Sequence, residues 1–174
     1  MLSCARAFIG FGANLGDPFA TLSRAQEALA ALPETRLLAC SSCYRSTPLG
    51  VIGPHPDYIN AVIALDTGLS PQALLDALLS IEFAHGRRRT APLAPRHIDL
   101  DLLLHGEAAL QSATLTLPHP RLHQRAFVLL PLAEIAPALS IPGHGPLASL
   151  LEKVKDQRIA RVQGVCPAMP ADSS

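Results

Sequence analysis

"HIDLDLLLH", residues 97–105, alternates acidic and aliphatic side chains at its start, and a period of two is that of a strand with one buried face. Residues i and i+2 share a face roughly 6–7 Å apart along the chain. Asp99 and Asp101 should therefore stand together, with Ile98, Leu100, Leu102 and Leu104 in the core. Immediately upstream, "LSPQALLDALLSIEFAHG" (69–86) has Ser70 as a helix N-cap, Pro71 at the first helical position, an apolar stripe at 74, 75, 78, 79 and 81, and Gly86 at the C-cap. Further back, "YINAVIALDT" (58–67) reads as a strand, joined through the turn-rich "STPLGVIGPHPD" (46–57) to another at about 36–44. The apolar run "RAFIGF" (6–11) is ended by Gly12, and Asp17–Pro18 opens a helix whose apolar positions are 22, 25, 29 and 32. The order is β-α-β-β-α-β: an α+β, ferredoxin-like sandwich in which two helices cover one face of an antiparallel sheet. "LHQRAFVLLPLAEIAPAL" (122–139), a short helix after Pro146 and a polar tail at 167–174 make a C-terminal extension.

A chain of 174 residues fits a single domain spanning 1–174, and 49% hydrophobic against 16% charged residues argues against disorder. The formal net charge is zero, which gives no bulk attraction to nucleic acid. The first strand also lacks the aromatic pattern with which an RNA-binding module of this fold presents rings to bases. The N-terminus has too short an apolar run for a secretory signal, and nothing approaches a membrane span, so a soluble, cytoplasmic protein is expected. Cys40 and Cys43 have metal or redox spacing, but in a strand residues three apart point to opposite faces, and buried reduced thiols fit better.

Charge is concentrated locally. Six of the twelve arginines (87, 88, 89, 96, 121 and 125) fall between 87 and 125, against Asp99, Asp101 and Glu107, a formal +3 from 6 − 3. The only lysines are Lys153 and Lys155, so an anion held by the body of the chain is held by guanidinium forks, which suit phosphate. Alone, an "RRR" triplet is ordinarily a solvated loop, and two acids on a strand's polar face are ordinary too. Together with Arg96, His119, Arg121 and Arg125 they form a mixed set around one strand. Two carboxylates leave most of a magnesium octahedron to water and substrate phosphates, whose charge the arginines would offset. The combination points to phosphoryl transfer.

The P-loop route is closed, because no GxxxxGK[ST] occurs. Gly10-x-Gly12-x-x-x-Gly16 misses the dinucleotide fingerprint by one residue and reads as a tight strand-to-helix turn. His119-x-x-x-His123 with an aspartate could suggest a transition-metal hydrolase, but Pro120 spoils the helical geometry such a pair needs.

In order, "AFIGFGANLGD" (7–17), "CYRSTPLG" (43–50), "PDYINAV" (56–62), "IEFAHGRRR" (81–89), "PRHIDLDLLLHG" (95–106) and "LTLPHPRLHQRAFVLLPLAEIAP" (115–137) resemble the blocks of the 6-hydroxymethyl-7,8-dihydropterin pyrophosphokinase family. The resemblance runs from about 7 to 143, leaving 144–174 as a C-terminal helix and tail. It implies transfer of diphosphate from ATP to the pterin's hydroxymethyl group, giving AMP and the pterin diphosphate for folate synthesis, by a monomer with two Mg2+ ions and small-molecule substrates only. By family position, Asp99 and Asp101 are the magnesium ligands, and Arg87, Arg89 and Arg96 join them in catalysis. Ser46, Thr47, Leu49, Tyr58, Asn60 and Phe127 match pterin-binding positions. Glu82, Arg89, Arg96, Leu102, Thr116, His119 and Arg125 match those around ATP. The chain departs from the family at Ser46, where threonine is common, at His55, and in the 87–96 loop, which looks short, lacks an aromatic and carries Pro92 and Ala94.

Overall fold

The structure is a computed structural model that describes residues 3–47, 56–85 and 98–162. Its elements are β1 Ala5–Ala13, α1 Pro18–Ala30, β2 Thr35–Cys40, β3 Tyr44–Ser46, β4 Tyr58–Thr67, α2 Pro71–Ala84 and β5 Asp99–His105, followed by β6 Leu110–Gln111, β7 Thr116–Leu117, α3 Ala126–Ile135, β8 Ser140–Ile141, β9 Gly145–Pro146, α4 Leu147–Lys153 and β10 Ala160–Arg161. The ferredoxin-like order holds through β5. The main sheet runs β10-β3-β4-β1-β5, with β2 also pairing β4, and each pairing is antiparallel.

Both long helices start where capping chemistry dictates. Asp17 accepts from the backbone N–H groups of Phe19 and Ala20, and Ser70 from that of Ala73, each followed by proline, which has no N–H to lose. The ends differ from expectation. Helix α2 closes at His85 rather than Gly86, and Leu79 of its stripe is 38% exposed while Glu82 is buried. The strand placed at 36–44 is two strands: at Ser41 the backbone N–H donates to the Val62 carbonyl, while the Ser41 hydroxyl accepts from Val62 N–H at 2.9 Å, so a side chain takes over the ladder. Strand β1 runs on through Gly12 to Ala13, and the turn falls at Gly16, where φ is +66°.

The sheet has a core on each face. Ala7, Ile9 and Phe11 of β1, Ile59, Ala61 and Ile63 of β4, and Leu100 and Leu102 of β5 pack with Leu22 and Leu29 of α1 and Leu74 and Leu78 of α2. The opposite face carries Phe8, Val62, Ala64, Leu103 and Leu104, covered by Leu129 and Leu132 of α3 and Leu147 and Leu150 of α4. The C-terminal extension thus supplies a second helical layer. Leu104 was expected on the α1/α2 side; a register shift against Phe8 and Ile9 inserts Leu103, and both leucines join the second core.

Candidate active site

The second helical layer covers only part of its sheet face. Where β5 and β4 begin and β1 ends, the residues that alternate with the α1/α2 core form a different surface. Asp99 and Asp101 lie opposite in direction to Ile98, Leu100 and Leu102, as their spacing predicts, and are half-buried. Their cross-strand partners on β1 are glycines: Gly12 beside Asp99 and Gly10 beside Asp101. On the other side of β1, Gly12 pairs Asn60, and Asn60 pairs Tyr44. One row across the sheet therefore reads Asp99, Gly12, Asn60, Tyr44. A Cβ on Gly12 would stand 3.5 Å from Asn60 Oδ1, so the absent side chain leaves a shallow floor between the carboxylates and the amide.

Asn60 is buried, and its Nδ2 donates to Ser46 Oγ at 2.8 Å and to the Tyr44 carbonyl at 3.3 Å. Ser46 is paired with Tyr58, so Ser46, Tyr58 and Asn60 are neighbours at the mouth of β3 and β4. Asn14, at the end of β1, donates through Nδ2 to the Pro56 carbonyl at 3.2 Å, tying the approach to β4 to the same end of the sheet.

The basic wall comes from the connection between β7 and α3. The His119 N–H donates to the Leu103 carbonyl at 2.9 Å on the outer edge of β5, which brings the loop alongside the aspartates. His119 Nδ1 faces the Arg121 backbone N–H at 3.2 Å; that donor requires a lone pair on Nδ1, so the ring proton resides on Nε2. Burial lowers the His119 pKa, Arg125 and Arg121 lower it further, and Asp99 opposes them. The Arg125 pKa is also lowered, by burial first, with Asp101 and Asp99 opposing and Arg121 reinforcing. The guanidinium carbon of Arg125 lies 5.4 Å from the centre of the Phe127 ring, within cation–π range. Phe127 is half-buried against the second core rather than enclosed by it.

Asp99, Asp101, Asn60, Ser46, Tyr58, His119, Arg125 and Phe127 thus share one end of one sheet face. Three other sequence candidates do not show side chains there. Leu102 is buried in the α1/α2 core, and Thr116 is half-buried between Leu115 and Leu117 of that core. Glu82 is buried and accepts the Leu100 N–H at 2.8 Å, filling the outer edge of β5; this supplies the partner that its place in an apolar stripe demanded. Thr47 is exposed at the end of β3. Leu49, Arg87, Arg89 and Arg96 lie outside the described residues, as do Arg88, His55, Pro92 and Ala94. Arg121 belongs to the electrostatic set, acting on both His119 and Arg125, although from sequence it stood only as one of the basic residues around the strand. Among the described residues no group of three metal-binding side chains occurs.

A family model for 7,8-dihydro-6-hydroxymethylpterin-pyrophosphokinase (HPPK) matches residues 8–137. The 2-amino-4-hydroxy-6-hydroxymethyldihydropteridine pyrophosphokinase of Pseudomonas aeruginosa is 44% identical over 159 residues, covering 91% of this chain and 98% of the relative. That of Haemophilus influenzae is 40% identical over 156 residues, covering 90% and 97%. Among solved structures, a Plasmodium falciparum HPPK-DHPS crystal structure superposes with a TM-score of 0.67 at 12% identity, over 90% of this chain and 47% of that one. At that identity the likeness bears on the fold alone, whereas the matched segment 8–137 and the two bacterial relatives bear on descent. The chain belongs to the 7,8-dihydro-6-hydroxymethylpterin-pyrophosphokinase family.

Proposed function

We propose that the face carrying Asp99 and Asp101 is where this pyrophosphokinase of folate biosynthesis transfers diphosphate from ATP to the hydroxymethyl group of 6-hydroxymethyl-7,8-dihydropterin. The observation that carries the placement is the row Asp99–Gly12–Asn60: a paired carboxylate and a buried, oriented amide face one shallow floor across three strands.

The pair fits magnesium, since it offers only hard oxygen donors on one strand face and its neighbours His119 and Arg125 are suited to phosphate rather than to metal. We take Asp99 and Asp101 to be the residues that would hold two ions, which would supply positive charge to the phosphate oxygens and lower the pKa of the attacking hydroxyl. The protein's own part is positioning and charge. Arg125 would offer its guanidinium to the phosphates, and His119, with its Nδ1 accepting the Arg121 N–H, would donate a hydrogen bond through Nε2. Arg87, Arg89 and Arg96 are assigned to the phosphates and to the transfer by family position. Tyr58 and Phe127 would line the pterin ring, with Ser46, Thr47, Leu49 and Asn60 reading its edge. The Asn60 amide nitrogen already faces Ser46 and Tyr44, which leaves Oδ1 as the group turned to the floor. Leu102 would serve the nucleotide through its backbone, Thr116 from beside it, and Glu82 by holding the edge of β5.

We take the enzyme to act as a monomeric single domain spanning 1–174. We take Cys40 and Cys43 to be reduced thiols of a protein in a reducing, cytoplasmic setting. The test is one incubation of the purified protein with ATP, magnesium and the reduced hydroxymethylpterin. AMP and a pterin diphosphate are expected in equal amounts; ADP as the nucleotide product would overturn the reading. Asp99→Ala and Asp101→Ala should each abolish AMP formation without shifting the melting temperature.

A further inference from the structure

Helix α3 begins directly after Arg125, which occupies the N-cap position in an extended conformation and makes no capping bond with its side chain. A long cationic side chain has no acceptor for the helix's first N–H groups, so the cap has to come from elsewhere. It comes from Gln157. Its Oε1 accepts the Ala126 N–H at 2.9 Å and its Nε2 donates to the Gln124 carbonyl at 2.7 Å. One amide thus clasps the backbone on both sides of Arg125. Gln157 is itself fixed, since its N–H donates to the carbonyl of Val154, a residue buried in the second core. It lies beyond the segment matched by the family model, which ends at 137.

We propose that Gln157 is a positioning residue for diphosphate transfer: by bridging Gln124 and Ala126 it fixes the backbone at Arg125, and through it the direction of the guanidinium toward the Asp99/Asp101 face. The C-terminal extension thereby contributes to the site without reaching the substrates. A clasp of this kind acts on orientation more than on stability, because Gln157 is exposed and water can replace either bond when it is lost. The inference rests on the assignment of Arg125 to the phosphates, and the experiment separates the two.

Four proteins are compared: wild type, Gln157→Leu, Arg125→Ala and the double variant. Steady-state kinetics are measured at saturating ATP and magnesium, and melting temperature is followed alongside. Gln157→Leu should lower kcat/KM for the pterin by roughly tenfold or more in the wild-type background while the melting temperature stays within a few degrees. In the Arg125→Ala background the same substitution should change kcat/KM by less than about twofold, because the group it positions is gone. Equal losses in both backgrounds, or no loss in either, would overturn the inference while leaving Arg125 in place. Full activity in Arg125→Ala itself would instead remove the Arg125 assignment on which it stands. If Gln157→Leu folds poorly, Gln157→Glu carries the same cycle: it keeps an acceptor for Ala126 but sets a carboxylate against the Gln124 carbonyl. Suppression of its effect by Arg125→Ala supports the proposal, and additivity overturns it.

Discussion

The Nδ2 of Asn60 faces the Tyr44 carbonyl at 3.3 Å, and a carbonyl can only accept, so the amide is oriented by chemistry rather than by choice. The same logic orients His119, whose Nδ1 receives the Arg121 N–H. Neither restraint was legible in the sequence, because the groups that fix each side chain's orientation are set by the fold. The structure makes His119 half-buried and lowers its pKa, with burial as the main cause. Its folded pKa lies below the ordinary 6.5, so the folded state binds the proton less well than the unfolded chain. The contribution to stability is therefore present above 6.5 and lost as pH falls through the folded value. An NMR titration of the imidazole in the free protein should place its midpoint below 6.5. A midpoint above 6.5 would mean that the aspartates outweigh burial and that the ring is cationic when it meets phosphate.

Strand β1 carries Gly10 and Gly12 in its interior, where glycine weakens a strand by roughly 0.5–1 kcal/mol relative to alanine. Both lie on the site face, and both pair an aspartate on β5. The open floor is the compensation. Gly12→Val should be tolerated by the fold, because a Cβ there meets Asn60 Oδ1 at an ordinary 3.5 Å and β-branched residues suit strands. Its methyl groups would occupy the space between Asp99 and Asn60, and activity should fall by about two orders of magnitude with little change in melting temperature. Near-normal turnover would show that substrates do not use this floor. In the sequence these glycines read as part of a turn, since nothing local distinguishes a glycine kept for clearance from one kept for a bend. Helices α1 and α2 were legible because an N-cap and a proline at the first position are local signals. Helix α3 was not: it is apolar nearly all round and contains Pro131, so it offers no stripe to count. The bulge at Leu103 was equally hidden, because register is decided by the partner strand.

At the scale of the molecule, the shared direction of Asp99 and Asp101 was legible because it follows from the spacing within one strand, whereas Phe127, in an apolar run, was singled out only by family position. What assembles them is long-range and left no mark there. Glu134 is the strongest example, joining α3 to the chain between β2 and β3 across 92 residues. Its Oε1 accepts the Ser42 N–H at 2.9 Å and the Ser42 hydroxyl at 2.7 Å, and its Oε2 accepts the Tyr44 hydroxyl at 2.6 Å. Burial raises the pKa of this carboxyl, but the hydrogen bonds from Tyr44 and Ser42, helped by Arg161, outweigh it and bring it below 4.5. Its stabilisation is accordingly present above 4.5 and lost as pH falls through the lower, folded value. Because β3 leads into Ser46, whose hydroxyl holds Asn60, the clamp sets the second helical layer and the Ser46–Asn60 end of the site face in one frame. Glu134→Gln keeps the shape but removes the charge; with its Oε1 on the Ser42 N–H, its Nε2 faces the Tyr44 hydroxyl, which must then turn from donor to acceptor. At neutral pH it should lower unfolding free energy by about 1–3 kcal/mol, the scale of hydrogen bonds to a charged group. The gap between variant and wild type in denaturant titrations should then narrow as pH is taken below 4.5, where the native carboxylate is progressively protonated. A gap that stays constant over that range would assign the loss to the altered hydrogen bonding of the amide rather than to the charge.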